Sequence, residues 1–468
     1  MTSTSRTLVV GAGLSGLACA HTLTRQGRDV VVLEAGARAG GVVDTLAERG
    51  FLFETGPTTV PASSRDFRAL CVELGLAERW VTSLPRANER YLFHRGKLET
   101  LPASPTALLG WSGLSMSARL RLTSEAMRRF DPSIYASEPD LETFLVERLG
   151  AEATRLLAGA FVRGVYASEL RELGARSAFP RVWNLAVQHG GLIRGLRAAK
   201  DEPREPLPGP ATESQALLSF PRGLRELPDA LARELGPRLR TSTTVTRIER
   251  ASSAWRVATA SGETFDAEHV VLATPAPVIA RLLGAIAPPD LPVALLRDVR
   301  HADLRLVLQG FAERELPDFP RGFGYLVPPA EEHRSRAEHG PRVLGTLFLS
   351  NVFAGRAPAG HASTASFYRA SDVAELTDAD LALLARAELA RALRAPRTPD
   401  ALVSIVRGWT DVLPKYAPGH ADRMNTLLEA TRRTLPGLHL AGNCFGGVSV
   451  DQVIARGRTV AAEIGTTT

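Results

Sequence analysis

The sequence has few cysteines and contains no long apolar run. Its 468 residues include only Cys19, Cys71 and Cys444, which lie far apart and form no Cys-x-x-Cys pair. This spacing argues against a disulfide framework, a zinc ribbon and an iron–sulfur site. No stretch approaches the roughly 18 consecutive apolar residues that a membrane-spanning helix needs, so we expect no such helix.

Lysine is also scarce, although the chain is basic. Lysines and arginines number 56 against 50 acidic residues, and Lys97, Lys200 and Lys415 are the only lysines. The arginines are spread along the chain instead of forming clustered basic blocks, so we expect no nucleic-acid partner. The amino terminus lacks the shape of a signal peptide, which predicts a cytoplasmic protein.

A glycine-rich motif near the amino terminus is the strongest pattern in the sequence. The strand-like segment 7–10 leads directly into Gly11-x-Gly13-x-x-Gly16, and a helical segment follows. In such a motif the first glycine allows a tight turn and the second lets the backbone approach a pyrophosphate. The third lets the helix pack closely on the strand. The motif therefore predicts a dinucleotide site.

The residues after these glycines support the same prediction. Leu14 and Ser15 begin the helix, whose free N–H groups would face the pyrophosphate. A second strand-like segment, 30–33, ends in Glu34 and Ala35, where a ribose-binding acid belongs. Because an acid at this position disfavours a 2′-phosphate, the pattern indicates FAD or NAD and not NADP.

A second glycine pair decides between these two cofactors. The segment EAGARAGGVVDT, with Arg38, Gly40 and Gly41, resembles the ERxGG continuation found in flavoproteins of the amine oxidase and protoporphyrinogen oxidase superfamily. By that resemblance, these three residues run beside the phosphates and ribityl chain of FAD. The resemblance therefore identifies FAD as the cofactor.

Three further segments resemble flavin-binding parts of the same superfamily. They are FLFETGPTTV near the ring, TSTTVTRIE beside the adenine, and the carboxyl-terminal AGNCFGGVSVDQVIARG, which would bring a second helix terminus to the flavin. A helix amino terminus carries a partial positive charge, which stabilises a reduced, anionic flavin. The residues expected to contact FAD in these segments are Gly56, Pro57, Thr58, Val245, Gly442, Asn443, Val448, Ser449 and Val450.

Motifs outside the cofactor site resemble the protoporphyrinogen oxidase family in particular. They occur in order over nearly the whole chain: ERYLFHRGKLETLP, RGVYASELRELGARSAFP, GFGYLVPPAEE, RVLGTLFLSNVFAGRAP, PKYAPGHADRM and AGNCFGGVSVDQVI. The resemblance implies oxidation of protoporphyrinogen IX to protoporphyrin IX by hydride transfer to flavin N5. Reoxidation by O₂ would then give H₂O₂. No catalytic base is evident.

The same resemblance suggests residues that would contact a porphyrinogen. Arg90 matches an arginine that pairs with a propionate, and Leu326, Leu347 and Phe367 match apolar residues around the substrate. Ser168 replaces a glycine that lies near flavin and substrate in the family. This departure is compatible with a divergent member of the family that oxidises a different secondary metabolite.

Three other functions remain open from the sequence. An FAD-dependent amine oxidase or desaturase could act on an amine or a secondary metabolite, a coproporphyrinogen-oxidising relative has the same motif spacing, and a flavin-binding scaffold could have lost catalysis. Histidines 333 and 339 show no paired metal spacing, so we expect a solvated helix face there and no metal site. The resemblance also implies peripheral contact with the inner face of the cell membrane and is compatible with a homodimer.

These patterns predict an α/β fold class. A Rossmann-like FAD-binding domain would be assembled from discontinuous segments and joined by a mixed α+β substrate domain and a helical insertion, which would either associate with a membrane or cap the substrate slot. The predicted order is FAD-binding domain at 1–83, helical insertion at 84–200, FAD-binding domain at 215–291, substrate domain at 292–424 and FAD-binding domain at 425–468.

Overall fold

The computed structural model describes residues 6–102, 104–201, 205–252, 254–316, 318–329 and 342–466. The strands are β1 (Arg6–Val10), β2 (Asp29–Leu33), β3 (Thr45–Glu48), β4 (Phe51–Glu54), β5 (Val60–Pro61), β6 (Val81–Thr82), β7 (Tyr91–His94), β8 (Lys97–Thr100), β9 (Leu217–Ser219), β10 (Leu239–Arg240), β11 (Val245–Ala251), β12 (Ala254–Thr259), β13 (Thr264–Ala267), β14 (His269–Leu272), β15 (His301–Ala312), β16 (Gly324–Leu326), β17 (Gly345–Leu347), β18 (His361–Arg369), β19 (Ala401–Pro414) and β20 (Leu438–Leu440).

The α-helices are α1 (Leu14–Arg25), α2 (Arg65–Glu73), α3 (Pro105–Leu108), α4 (Met116–Glu125), α5 (Leu141–Leu149), α6 (Ala151–Ala153), α7 (Ala160–Tyr166), α8 (Ala175–Ala178), α9 (Pro180–His189), α10 (Leu192–Asp201), α11 (Glu226–Leu235), α12 (Ala276–Gly284), α13 (Ala294–Arg297), α14 (Leu349–Val352), α15 (Asp378–Leu393), α16 (His420–Thr434), α17 (Asn443–Gly446) and α18 (Val450–Gly465). A π-helical segment, Thr154–Gly159, joins α6 to α7.

A parallel sheet with the strand order β10-β2-β1-β14-β20 forms the centre of the first domain. Its central strands are buried on both faces, which explains their unbroken apolar sequences. Helices α1, α2, α11 and α18 cover one face. The antiparallel sheet β11-β12-β13, with α12 and α16, covers the other. This arrangement confirms the predicted α/β fold class.

The register of the parallel sheet determines where its loops meet. Val10 lies opposite Leu33 and Leu272, and Leu272 lies opposite Leu440. The loops that follow four strands therefore leave the sheet at one edge, where ligands of open α/β sheets bind.

The second domain is built on a seven-stranded sheet with the order β19-β15-β18-β17-β16-β7-β8. Helix α15 packs on this sheet through Leu381, Ala385 and Leu389. Helices α4 to α10 form a separate cluster, and a buried ion pair between Arg148 and Glu125 joins α5 to α4.

Two domain limits differ from those suggested by the sequence. The segment 84–200 begins with the hairpin β7–β8, because β7 pairs with β16 through Tyr91 and Tyr325, and a partner so distant leaves no local periodicity. Helix α16 continues across the limit placed at 424, because Met424 and Leu427 pack in the same core as β14.

Candidate functional site

A cavity of about 740 Å³ lies between the carboxyl edge of the parallel sheet and the seven-stranded sheet. Residues from both ends of the chain contribute to its wall. The predicted cofactor residues that line it are Gly11, Gly13, Leu14, Ser15, Glu34, Ala35, Gly40, Gly41, Gly56, Pro57, Val245, Gly442, Asn443, Val448, Ser449 and Val450. Gly16, Arg38 and Thr58 are not among the lining residues.

The glycine loop after β1 has the shape that a bound pyrophosphate requires. Gly11 has φ +103°, and a Cβ on Gly16 would lie 2.0 Å from the Gly11 carbonyl oxygen. A Cβ on Gly13 would meet no protein atom within 4 Å, so this backbone is open to the cavity. The first turn of α1 contains no acidic side chain and Gly13 supplies no side-chain cap, so its N–H groups are available to phosphate oxygens.

Glu34 is held in place by the backbone around this loop. Its Oε2 accepts a hydrogen bond from the Ala12 amide at 2.7 Å, and its Oε1 accepts one from the Gly36 amide at 2.7 Å. Each carboxylate oxygen can accept a further bond, so the side chain can also receive ribose hydroxyl groups.

The Gly40–Gly41 turn packs directly on the glycine loop. The Gly40 amide donates to the Ala12 carbonyl at 2.8 Å, and a Cβ on Gly41 would lie 3.3 Å from the Gly13 Cα atom. Arg38 holds this turn from outside the cavity, because its guanidinium donates to the Gly41 carbonyl at 2.8 Å. It also pairs with Asp44 at 3.3 Å. In this structure Arg38 therefore shapes the cofactor loop but does not line the cavity.

A buried carboxyl group supports the cavity wall at Gly56. Glu54 accepts hydrogen bonds from the Thr45 hydroxyl at 2.6 Å and the Leu224 amide at 2.9 Å. Burial raises its pKa to about 7, even though the Arg356 guanidinium lies 3.7 Å away and favours ionisation. Because burial is the larger effect, ionised Glu54 is unfavourable in the folded protein.

We expect Glu54→Gln to change how stability depends on pH. The folded pKa lies above the ordinary value of 4.5, so the wild-type protein loses stability as pH rises from about 4.5 to 7. The loss attributable to Glu54 amounts to about 3 kcal/mol. Urea unfolding of both proteins at pH 5 and pH 8 measures it: the wild-type free energy of unfolding should fall relative to that of the variant. Equal changes in both proteins would contradict the assignment.

The carboxyl-terminal turn brings a second helix terminus to the cavity. The Gly442 amide donates to the Ser15 hydroxyl at 3.1 Å, so this turn is joined to the start of α1. Ser449 caps α18, and Asp451 points away and accepts a bond from the Phe67 amide at 2.8 Å. The amino terminus of α18 therefore reaches the cavity, and the acidic side chain of its first turn, Asp451, is engaged by α2.

The structure separates the predicted substrate residues. Phe367 lines the cavity, whereas Leu326 packs behind Gly164 of the cavity wall and Leu347 lies in an adjoining apolar cluster. Ser168 is fully buried and donates to the Tyr166 carbonyl at 2.9 Å. Arg90 is exposed, and its guanidinium lies 5.5 Å from the centre of the Phe323 ring.

Sequence reasoning missed several residues of the cavity wall. Tyr166 and Ala167 stood inside the recognised RGVYAS segment, but nothing in the sequence distinguished them from Ser168. Trp409 comes from β19, and its indole Nε1 donates to the Thr55 carbonyl at 2.6 Å. The other lining residues that were missed are Val10, Leu33, Val42, Val43, Thr55, Gly164, Val165, Thr243, Thr244, Ala273, Thr274, Pro275, Val278, Arg281, Leu304, Leu306, Leu344, Val412, Leu413, Gln452 and Val453.

The wall of the cavity is mostly apolar. Among the described residues that line it, Glu34 and Arg281 are the only acidic and basic side chains, and none is a lysine or a histidine. Cys444 is buried outside the lining, and burial raises its thiol pKa to about 12. The site therefore offers binding groups at the cofactor end and mostly apolar contacts at the other end, where the described lining has no carboxylate, lysine or histidine.

A family model described as flavin containing amine oxidoreductase matches residues 14–465. The chain belongs to this family. It is an FAD-dependent oxidoreductase, which confirms the cofactor inferred from the glycine motifs.

Three relatives are similar over nearly the whole chain. A chloroplastic protoporphyrinogen oxidase of Nicotiana tabacum is 30% identical, with 98% of this chain and 85% of the relative covered. One of Oryza sativa subsp. japonica is 31% identical, with 98% and 87% covered. The protoporphyrinogen oxidase of Homo sapiens is 30% identical, with 98% of both chains covered. These relatives confirm the resemblance to the protoporphyrinogen oxidase family.

Solved structures show the same fold. A protein of Exiguobacterium sp. 255-15, provisionally named protoporphyrinogen oxidase, has a TM-score of 0.83 at 24% identity, with 100% of both chains covered. Cyclohexylamine oxidase of Brevibacterium oxydans IH-35A has a TM-score of 0.71 at 17% identity, with 99% of both chains covered. Within the described ranges, no helix combines the length and apolar character needed to cross a bilayer.

Proposed function

We propose that this flavoenzyme oxidises protoporphyrinogen IX to protoporphyrin IX, with O₂ as the final electron acceptor and H₂O₂ as its product. The observation that carries the proposal is the apolar far end of the cavity. Leu304, Leu306 and Leu344 line it with Phe367 and Trp409, and they suit a large, largely apolar substrate.

The residues of the cavity have separate tasks in this reaction. The glycine loop and Glu34 would hold the pyrophosphate and ribose of FAD, and the segment at Gly56 would support its ring. When bound, FAD supplies a hydride acceptor at N5, which O₂ can reoxidise. The apolar wall orients the substrate and excludes water, and such orientation supplies much of the rate when no side chain acts as a base.

The absence of a cation at the substrate end argues against coproporphyrinogen as the preferred substrate. In the described part of the wall the single cation, Arg281, lies on α12 with the cofactor residues. A substrate with four carboxylates would leave more charges without partners than one with two propionates. Those two propionates can remain in solvent at the cavity mouth, where Val165 is 44% exposed.

Porphyrin fluorescence tests the proposal. Purified holoprotein is mixed in air with anaerobically prepared protoporphyrinogen IX, with heat-inactivated protein as the autoxidation control and coproporphyrinogen III alongside. We expect fluorescence to rise well above the control with protoporphyrinogen, and H₂O₂ to accumulate. If neither porphyrinogen reduces the bound FAD anaerobically, the proposal is wrong, and amines and apolar secondary metabolites are the next substrates to test.

Trp409→Phe is expected to lower kcat/KM for the porphyrinogen by about tenfold, the equivalent of one lost hydrogen bond. Phenylalanine keeps an apolar wall but cannot donate to the Thr55 carbonyl. Steady-state kinetics and the FAD content of the purified variant measure the effect. Trp80→Phe, which changes a tryptophan outside the cavity lining, is the control. An unchanged kcat/KM would show that Trp409 does not contribute to the substrate site.

We also propose that the protein makes peripheral contact with a membrane through the helical segment, which is formed by α4 to α10. Met116, Leu120 and Met127 are 66%, 63% and 78% exposed, and Phe161 on α7 is 48% exposed. Apolar side chains so exposed are typical of interaction surfaces. When the protein is sedimented with anionic lipid vesicles, we expect the wild-type protein to pellet with the vesicles. A variant with Met116, Leu120 and Met127 changed to Ser should remain in the supernatant.

A further inference from the structure

The segment PKYAPGH, which follows β19, contains two buried rings that the proposed reaction does not use. Tyr416 and His420 are 4% and 5% exposed, and their ring centroids lie 4.6 Å apart. Neither side chain lines the large cavity. Tyr416 lies between β19 and α16, His420 is the first residue of α16, and both rings face the turn that contains α17.

Each ring donates to one of two successive carbonyl groups in that turn. The Tyr416 hydroxyl donates to the Asn443 carbonyl, and His420 Nε2 lies 2.8 Å from the Cys444 carbonyl oxygen. Because a carbonyl can only accept, Nε2 carries the proton. The Asn443 side chain adds a third bond, from its Nδ2 to the Val412 carbonyl at 2.9 Å.

Burial keeps both donors in the state that these bonds need. It raises the pKa of Tyr416, so the phenol keeps its proton, and it lowers the pKa of His420, so the imidazole remains neutral with a single N–H. The Cys444 carbonyl then fixes which nitrogen carries that proton. The two bonds therefore persist across neutral pH.

These bonds determine the direction of two successive peptide groups in the turn. In a trans peptide the C=O and N–H point to opposite sides. With the Asn443 carbonyl bound to Tyr416, the negative end of this peptide dipole points away from the cavity, which Asn443 itself lines. The next peptide is held inside the turn, where the Cys444 carbonyl accepts from His420 and the Phe445 amide donates to the Gly442 carbonyl at 3.2 Å. The Asn443–Cys444 peptide therefore presents its positive N–H end toward the cavity, next to the amino terminus of α18, and the His420 bond fixes the following peptide of the same turn.

We propose that Tyr416 and His420 are positioning residues that tune the flavin through the backbone of the turn at 442–447. They do not touch the cavity and act by holding the two carbonyls away from it. The inference rests on the proposed function for its role in turnover, because it concerns the flavin end of the same cavity. Its test needs only bound FAD and no porphyrinogen.

The test compares variants that remove or restore each donor. Tyr416→Phe removes only the hydroxyl, and His420→Leu removes the N–H, whereas His420→Gln can place an amide N–H near the position of Nε2. Tyr368→Phe is the matched control, because its buried hydroxyl donates to Glu388 at 2.8 Å, outside the cavity lining. The FAD dissociation constant and the reduction potential, measured against reference dyes without oxygen, are the readouts.

We expect Tyr416→Phe and His420→Leu each to raise the FAD dissociation constant by about tenfold, the equivalent of one unpaired buried carbonyl. Both should also lower the flavin reduction potential, because a positive dipole is lost where the ring gains charge. His420→Gln should recover most of both values. If the two variants lower Tm but leave the potential and the dissociation constant equal to those of Tyr368→Phe, the rings are merely structural and the inference is wrong. Porphyrinogen turnover by the wild-type protein is measured separately, so a failure of the proposed function is distinguishable.

Discussion

Gly13→Ala is expected to give a folded protein that has lost most of its affinity for FAD. A Cβ at this position meets no protein atom within 4 Å, and the backbone is in the extended region, with φ −68° and ψ 169°. The fold should therefore lose no more than about 0.5 kcal/mol. The methyl group projects where the pyrophosphate approaches the backbone, so we expect the FAD dissociation constant to rise at least about tenfold, or ~1.4 kcal/mol.

Gly16→Ala should fail in a different way. Its Cβ would lie 2.0 Å from the Gly11 carbonyl oxygen, so α1 must move off β1 and the free energy of unfolding should fall by about 3 kcal/mol even without FAD. Gly110→Ala, whose Cβ would come no closer than 3.7 Å to another residue, is the control. Urea unfolding of the apoproteins and titration with FAD separate the two effects. Equal behaviour of Gly13→Ala and Gly16→Ala would contradict this division of tasks.

Arg148→Met is expected to destabilise the helical segment by about 4 kcal/mol. Both side chains of the Arg148–Glu125 pair are fully buried, and Glu125 also accepts bonds from the Leu192 amide at 2.7 Å and the Ile193 amide at 2.9 Å. Removing the guanidinium leaves a carboxylate buried without its cation. Helix α7 forms part of the cavity wall in this segment, so substrate turnover should fall while FAD remains bound.

Limited proteolysis and thermal unfolding of the holoprotein measure this effect. Arg155→Met is the control, because Arg155 is 58% exposed and its pair with Glu142 contributes at most about 1 kcal/mol. Adding Glu125→Gln to Arg148→Met should recover part of the loss, since the amide oxygen can still accept from the backbone. A variant Arg148→Met as stable as Arg155→Met would show that the pair contributes little.

The cofactor half of the site could be predicted from the sequence because close backbone contacts and strand register restrict which residues can occupy its positions. Gly11 and Gly16 each occupy positions where a side chain would strike backbone atoms, and Glu34 follows a strand in a fixed register with β1. The Gly16 and Glu34 contacts act within about 30 residues, and Gly11 belongs to the same glycine spacing although its Cβ would meet the Ala273 carbonyl, so the motif is readable in the sequence.

The substrate half could not be predicted in the same way. Its wall combines α7, β15, β18 and β19, and such non-local contacts impose no spacing on the sequence. In the RGVYAS segment, Ala167 has φ +47° and lines the cavity. The next residue, Ser168, is fully buried and does not line it. A motif match places residues within a segment, but it does not show which of them face the ligand, and Arg90 and Leu326 illustrate this limit.

The close packing of α18 on α1 has a consequence for synthesis of the protein. A Cβ on Gly457 would lie 2.2 Å from the Ser15 carbonyl oxygen, so α18 touches α1 at the cofactor loop. The amino-terminal strands emerge from the ribosome first, but the flavin pocket cannot close until the final helix has been translated. A chain that terminates before α18 is therefore expected to be colourless, and acquisition of the yellow cofactor would report that α18 has been translated.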